Sequence, residues 1–160
     1  MKHQPNIDDI EEIRIETGPV AFTSAGIKEP KIGVEGKFSL WFLAALSIAE
    51  GHVNLEKFTD QKVNNPRLID LRRKVKATLV RELKFGARVE VKMTDGTQYQ
   101  GFRETPKGDP ANPLSLEEIE RKYQGMAKKF ITEKDNERLL RKIKNIESLN
   151  DVRELTALLP

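Results

Sequence analysis

Cysteine is absent from the 160-residue sequence. That excludes disulfides, thiolate zinc sites, a cysteine nucleophile and cysteine-held iron–sulfur clusters. Histidine is scarce, with only His3 and His52, so no paired-histidine metal motif exists, and no phosphate-binding or dinucleotide-binding glycine pattern is found either. A surplus of one charge is missing as well. Twenty-eight basic residues face 25 acidic ones, for a net +3, whereas nucleic-acid binders concentrate a basic face. The longest apolar run, Phe38 to Ala49, is too short to span a bilayer. The opening residues Met1-Lys2-His3-Gln4-Pro5 lack the apolar core of a signal peptide. These absences predict a cytoplasmic protein with no nucleic-acid or membrane partner and no metal or other cofactor.

What is present is a soluble-domain composition, 38% hydrophobic and 33% charged, in a chain long enough to bury a core. Ile13 and Ile15 alternate with charged neighbours, as in a half-buried strand ending at Gly18-Pro19. A glycine- and proline-punctuated loop then runs to Gly36. Phe38 to Ala49 is apolar on every side of a helical wheel and is expected to be a helix at the centre of the domain. A short helical patch follows at Leu55 to Phe58. Asn65-Pro66 supplies a cap and a first-turn proline for another helix.

Alternation predicts strands over Val75 to Leu83 and Arg88 to Met93. Asp95-Gly96 signals a hairpin; if that turn has two residues, the return strand Thr97 to Arg103 sets Gln98 and Gln100 against the apolar row, as suits a sheet edge. Thr105 to Pro113 must be a loop. Ser115 with Glu118 is a capping box opening a helix to about Lys129. Thr132 with Asp135 starts the next, striped by Leu139, Leu140, Ile143 and Ile146, and Asp151 begins a last short helix. With no repeat or linker, residues 5–160 read as one domain and residues 1–4 as a loose amino terminus. Segregated strands and helices argue for an α+β fold, an antiparallel sheet of three to four strands covered by helices around a buried central one.

Chemistry-bearing residues are sparse. His52, after a helix stop, suits a capping or surface role. Asp8, Asp9, Glu11 and Glu12 suit helix capping or a strand flank. Arg67, Arg72, Arg73, Lys74 and Lys76 could bind phosphate or nucleic acid, but no aromatic residue interleaves with them, and a solvated helix face is the plainer reading. Gly36-Lys37-Phe38-Ser39 places a lysine and a serine at the start of the most apolar helix, where free N–H groups and the dipole favour carboxylates. The plain alternative has Ser39 as a cap and Lys37 in solvent.

Several motifs together resemble the MmgE/PrpD family, the 2-methylcitrate dehydratase-like enzymes. Pro30 to Ala49 resembles the family's Gly-x-Glu-Ala-Lys-Phe-Ser segment and following helix. Gly51-His52-Val53, Phe58-Thr59-Asp60, Val63-Asn64-Asn65-Pro66 and the Val89 to Gly96 hairpin resemble its next stretches. Pro106-Lys107-Gly108-Asp109-Pro110 with Asn112-Pro113-Leu114 is the most specific piece, and Asn145 to Leu155 continues the match. The resemblance covers only the family's carboxy-terminal α+β domain. It implies a metal-independent lyase or isomerase, a hydro-lyase or decarboxylase type of enzyme, acting on small polycarboxylates such as 2-methylcitrate or cis-aconitate. It also implies a partner, the helical amino-terminal-type domain or subunit that supplies most catalytic residues, so activity is not expected from this chain alone. Homo-oligomerisation is compatible with it.

By the same resemblance Lys37 and Ser39 are substrate-binding residues, Lys37 as a substrate-carboxylate contact and Ser39 as a helix-terminal hydrogen-bond donor. Related dehydrations by aconitase-type enzymes use an iron–sulfur cluster, which a cysteine-free chain cannot ligate in that manner. Two departures stand out: Gly36 replaces the usual alanine, which would loosen the helix start, and Gly18 to Gly36 lacks the tyrosine some members carry. The alternative to an enzyme part is a non-catalytic binding or assembly module that keeps the fold.

Overall fold

The computed structural model describes residues 6–159; the loose terminus expected at 1–4, with His3, lies outside them. The chain divides into two compact units, Met1–Pro106 and Lys107–Pro160, taken in turn.

In the first unit, strand β1 (Ile10–Thr17) leads through α1 (Pro19–Ser24) and the four-residue turn α2 (Gly33–Gly36) to α3 (Leu40–Glu50). Helices α4 (Asp60–Val63) and α5 (Pro66–Arg73) follow, then β2 (Val75–Leu79), β3 (Ala87–Met93) and β4 (Gln98–Arg103). The four strands form one sheet in the order β2-β1-β3-β4. The α+β architecture is the one expected, with one pairing of the other sense: β1–β3 and β3–β4 are antiparallel, but β1–β2 is parallel. The long helical connection from Thr17 to Val75 permits this, since parallel neighbours need a crossover and a hairpin cannot supply one.

Strand β1 begins three residues earlier than its Ile13–Ile15 alternation suggests. A register shift between Ile10 and Glu12 inserts one extra residue, a bulge that re-phases the strand. Ile10, Ile13, Ile15 and Thr17 are therefore all buried, although a strict period of two would separate Ile10 from the others.

Helix α3 is the centre. Trp41, Ala45 and Ile48, spaced at i, i+4 and i+7, pack on Ile10, Ile13, Ile15, Val91 and Met93 of the sheet. Phe42 and Leu46, one position on, pack on Val63 and Leu68 of α4 and α5. A helix clasped on two faces has to be apolar nearly all round, which its sequence is. Asn65 caps α5 as expected, its Oδ1 accepting from the backbone N–H of Arg67 at 3.0 Å and of Leu68 at 3.4 Å.

The hairpin differs from the two-residue turn. Met93 faces Thr97 across a three-residue turn, with Met93 N–H donating to Thr97 O at 2.8 Å and Gly96 N–H to Met93 O at 3.0 Å. Val91 therefore opposes Tyr99, while Gln98 and Gln100 oppose Lys92 and Glu90. A one-residue slip turns every side chain over, and here it delivers Tyr99 to the core. Gly96 has φ +85°, a left-handed conformation natural to glycine.

In the second unit, the Ser115–Glu118 capping box opens α6 (Leu116–Ala127), with Glu118 N–H donating to Ser115 Oγ at 3.2 Å and Ser115 N–H to Glu118 Oε2 at 2.7 Å. Thr132 caps α7 (Glu133–Lys144), and α8 (Arg153–Thr156) follows. Ion pairs Lys144–Glu120 (2.7 Å) and Lys142–Glu154 (2.5 Å) link α7 to α6 and to α8.

Gly96→Ala should destabilise the protein by about 1 kcal/mol, because alanine is strained at that positive φ. Urea denaturation measures the loss, and an unchanged midpoint would contradict the three-residue turn.

Candidate functional site

The strap from Pro30 to Ser39 carries both sequence-selected residues and is fastened by partners distant in sequence. Gly33 N–H donates to Asp60 Oδ1 at 2.7 Å, Asn64 Nδ2 to Lys31 O at 3.0 Å, and Arg72 Nη1 to Pro30 O at 3.4 Å. Within the strap, Lys31 N–H donates to Glu35 Oε2 at 2.6 Å. At its far end, Ile27 N–H donates to Phe38 O and Leu40 N–H to Ala25 O, a short bridge that joins Gly26 to Ser39. Asp60 and Asn64 belong to two of the motif segments read in the sequence, and the fold closes both of them on a third.

Lys37 and Ser39 stand two residues apart with opposite surroundings. Ser39 is 0% exposed; it caps α3, its Oγ accepting from Phe42 N–H at 3.1 Å. Lys37 is exposed, and among the described residues its ammonium has no ion-pair partner. Its neighbours Val34 and Phe38 are 59% and 50% exposed, so the cation rises from an uncovered apolar shoulder. In such surroundings an ammonium is incompletely hydrated once covered and would favour a carboxylate ligand.

Gly36 does not loosen the helix start. It is buried, and a Cβ there would lie 2.9 Å from two ring carbons of Phe42 and 3.1 Å from Val63. The missing methyl is the space into which the Phe42 ring packs.

Other charged groups are already engaged. Glu50, at the end of α3, receives the ammonium groups of both Lys57 and Lys62. These hydrogen bonds, Lys57 first, hold its carboxyl below the ordinary value of 4.5 against the opposing effect of burial. The basic cluster is consumed internally: Arg67 pairs with Asp8 (3.0 Å), Arg73 with Asp70 (3.2 Å), Lys76 with Glu12, and Lys74 Nζ donates to Ile10 O (2.5 Å). Arg72 is 9% exposed; burial is the main cause lowering its pKa, with Glu29 opposing, and a guanidinium stays charged regardless. The acidic run serves a short turn over Ile7–Asp9 and the start of β1.

His52 is exposed just past the end of α3. Lys37 precedes that helix and His52 follows it, so its eleven residues hold them about 16 Å apart at 1.5 Å per residue. The fold does not bring this histidine to the lysine. Among the described residues no three of His, Asp and Glu converge as a metal site, and no helix is long and apolar enough to cross a membrane. Among the described residues the strap thus offers one cation without an ion-pair partner, Lys37, on a fixed backbone, since its other lysine, Lys31, pairs with Glu29 at 3.7 Å. Asp60, Asn64 and Arg72, which fix the strap, give no local signal of that role, because each contact spans 27 to 42 residues.

Gly36→Ala should destabilise the protein by about 1–3 kcal/mol through overpacking. Phe42→Leu should then cost less in that background than in the native one, a coupling that chemical denaturation of the four proteins measures. Glu50→Gln should lower the Tm at neutral pH. Since the folded pKa lies below the unfolded one, the stabilisation is whole above about pH 4.5 and is lost as the pH falls through the lower folded value. Melting curves from pH 7 to pH 3 should show the two proteins converging in acid; a constant gap would assign the effect to packing.

The comparisons with known proteins place the chain in a family. Residues 1–148 match the model of the MmgE/PrpD C-terminal domain. The cis-aconitate decarboxylase of Mus musculus is 27% identical over 163 residues, covering 95% of this chain but 32% of the relative. The Homo sapiens decarboxylase is 27% identical over 136 residues, covering 78% of this chain and 27% of the relative. A cis-aconitate decarboxylase-like protein of Aspergillus oryzae is 27% identical over 143 residues, with 82% and 28% covered. The chain therefore spans about a third or less of these relatives' length, and it belongs to the MmgE/PrpD family, of which it carries the C-terminal domain.

Proposed function

We propose that this chain is the carboxy-terminal part of a lyase or isomerase for small polycarboxylates, incomplete without the amino-terminal part of the family fold. The reading rests chiefly on Lys37, an exposed ammonium without an ion-pair partner among the described residues, on a strap pinned by Asp60, Asn64 and Arg72. Eliminating water or carbon dioxide from a polycarboxylate needs cations for the carboxylates and a positioned acid–base pair. Lys37 can meet the first need. His52 does not meet the second, since it sits beyond the other end of α3.

In this reading Lys37 binds a substrate carboxylate, and Ser39, buried at the cap of α3, fixes the start of that helix. Turnover then depends on acid and base groups brought by the amino-terminal part. The names of the relatives favour cis-aconitate or a similar tricarboxylate as substrate, and 2-methylcitrate is likewise a tricarboxylate, though its dehydration loses water where decarboxylation loses carbon dioxide.

The purified chain should turn over neither compound, and assembly with the amino-terminal part should restore activity. In that assembly Lys37→Ala should lower kcat/KM by about 10–100-fold, the scale of a charge-assisted hydrogen bond. Substantial turnover by the chain alone would sink the dependence. Unchanged kinetics in Lys37→Ala would leave the chain as a non-catalytic assembly module.

A further inference from the structure

Arg72 stands where the fold asks for an apolar side chain. Leu68, Leu71 and Arg72 fall at i, i+3 and i+4 on the buried face of α5, and Arg72 is 9% exposed. Among the described residues no carboxylate forms an ion pair with its guanidinium. Glu29, the acid whose charge acts on it, pairs instead with Lys31 at 3.7 Å. A guanidinium carries five N–H donors, and the one protein acceptor among the described residues is Pro30 O, 3.4 Å from Nη1. A buried cation without a counter-ion is costly, and an apolar side chain of similar volume at such a site is often neutral or stabilising. Stability therefore does not account for this arginine.

Its acceptor points to the role. Pro30 opens the strap and is itself fully buried, and a buried carbonyl needs a donor. No backbone N–H of the described residues reaches that oxygen; Arg72 reaches it from 42 residues further along the chain. Asp60 and Asn64 hold the strap further in, at Gly33 and Lys31, so Arg72 holds its entry. From there the turn α2 carries the backbone to Lys37, whose N–H donates to Val34 O at 3.2 Å. A displacement at Pro30 is passed through that hydrogen-bonded turn to the lysine.

We infer that Arg72 is a positioning residue, a buried charge that serves to fix the strap's entry, and with it the Lys37 ammonium, and not to stabilise the domain. The inference deepens the proposed function and rests on Lys37 binding a substrate carboxylate, but the order of the strap can be measured without that reading.

The test removes the charge and keeps the bulk. Arg72→Met should leave the Tm level or raise it. Backbone amide hydrogen exchange in the chain itself should become about tenfold faster at Gly33, Gly36 and Lys37, the scale of one hydrogen bond to a charged donor, and stay unchanged in α3 and β1. In the assembly with the amino-terminal part, Arg72→Met should raise KM about tenfold with kcat nearly retained, since a binding group is misplaced and the acid–base pair is not. Arg72→Lys, which keeps the charge and can still donate to Pro30 O, should recover part of both effects. In a Lys37→Ala background Arg72→Met should change KM no further. A lower Tm with faster exchange throughout α3, α5 and the sheet would make Arg72 an ordinary structural residue and overturn the inference. Unchanged exchange in the strap would also overturn it, as would a loosened strap with unchanged KM where Lys37→Ala does raise KM. A loosened strap with Lys37→Ala itself silent would leave Arg72 as the anchor of the strap and remove the carboxylate reading of Lys37 instead.

Discussion

Helix α3 is buried on two faces, and most of the first unit follows from that. One face needs the sheet and the other needs α4 and α5, so the chain has to pass over the sheet and return. This return is what sets β2 beside β1 in parallel. The same double burial reaches back into the strap before the helix. Phe42 occupies the space a side chain at position 36 would fill, and the cap at Ser39 is sealed in completely. The start of α3 is therefore fixed by packing, and the strap is fixed with it.

The strap is where structure passes into chemistry. Two motif segments, around Asp60 and Asn64, close on the one around Gly33 through side-chain-to-backbone hydrogen bonds, so the Asp60 and Asn64 side chains serve to hold a loop. Lys57 and Lys62 share the single carboxylate of Glu50. Lys37, beside exposed Val34 and Phe38, has no ion-pair partner among the described residues. A fixed cation on an uncovered apolar shoulder is what the proposed contact with a substrate carboxylate requires.

The helices were legible in the sequence because their signals are local. Ser39, Asn65, Ser115 and Thr132 mark helix starts within three or four residues, and the uniform apolarity of Phe38 to Ala49 declares a helix with no solvent face. The strands were less so. The bulge near Glu11 hides the true start of β1 by breaking its alternation, and the Asp95-Gly96 turn holds three residues where the dipeptide alone suggests two. Both depend on pairing with a distant strand. For the site, the strap and its lysine could be found from sequence, but their fastening could not: Arg72 reads as one member of a basic run until folding places it under Pro30. Gly36 likewise looks like a weakness until Phe42 is seen against it.

In the proposed function Lys37 meets a substrate carboxylate only in the completed family fold. Nitrogen-15 NMR of the lysine ammonium groups, during titration with cis-aconitate, tests it most directly. In the assembly with the amino-terminal part, the Lys37 signal should shift and saturate, while in the chain alone it should stay in place. A saturable Lys37 shift in the isolated chain, or none in an assembly that is turning substrate over, would contradict the account.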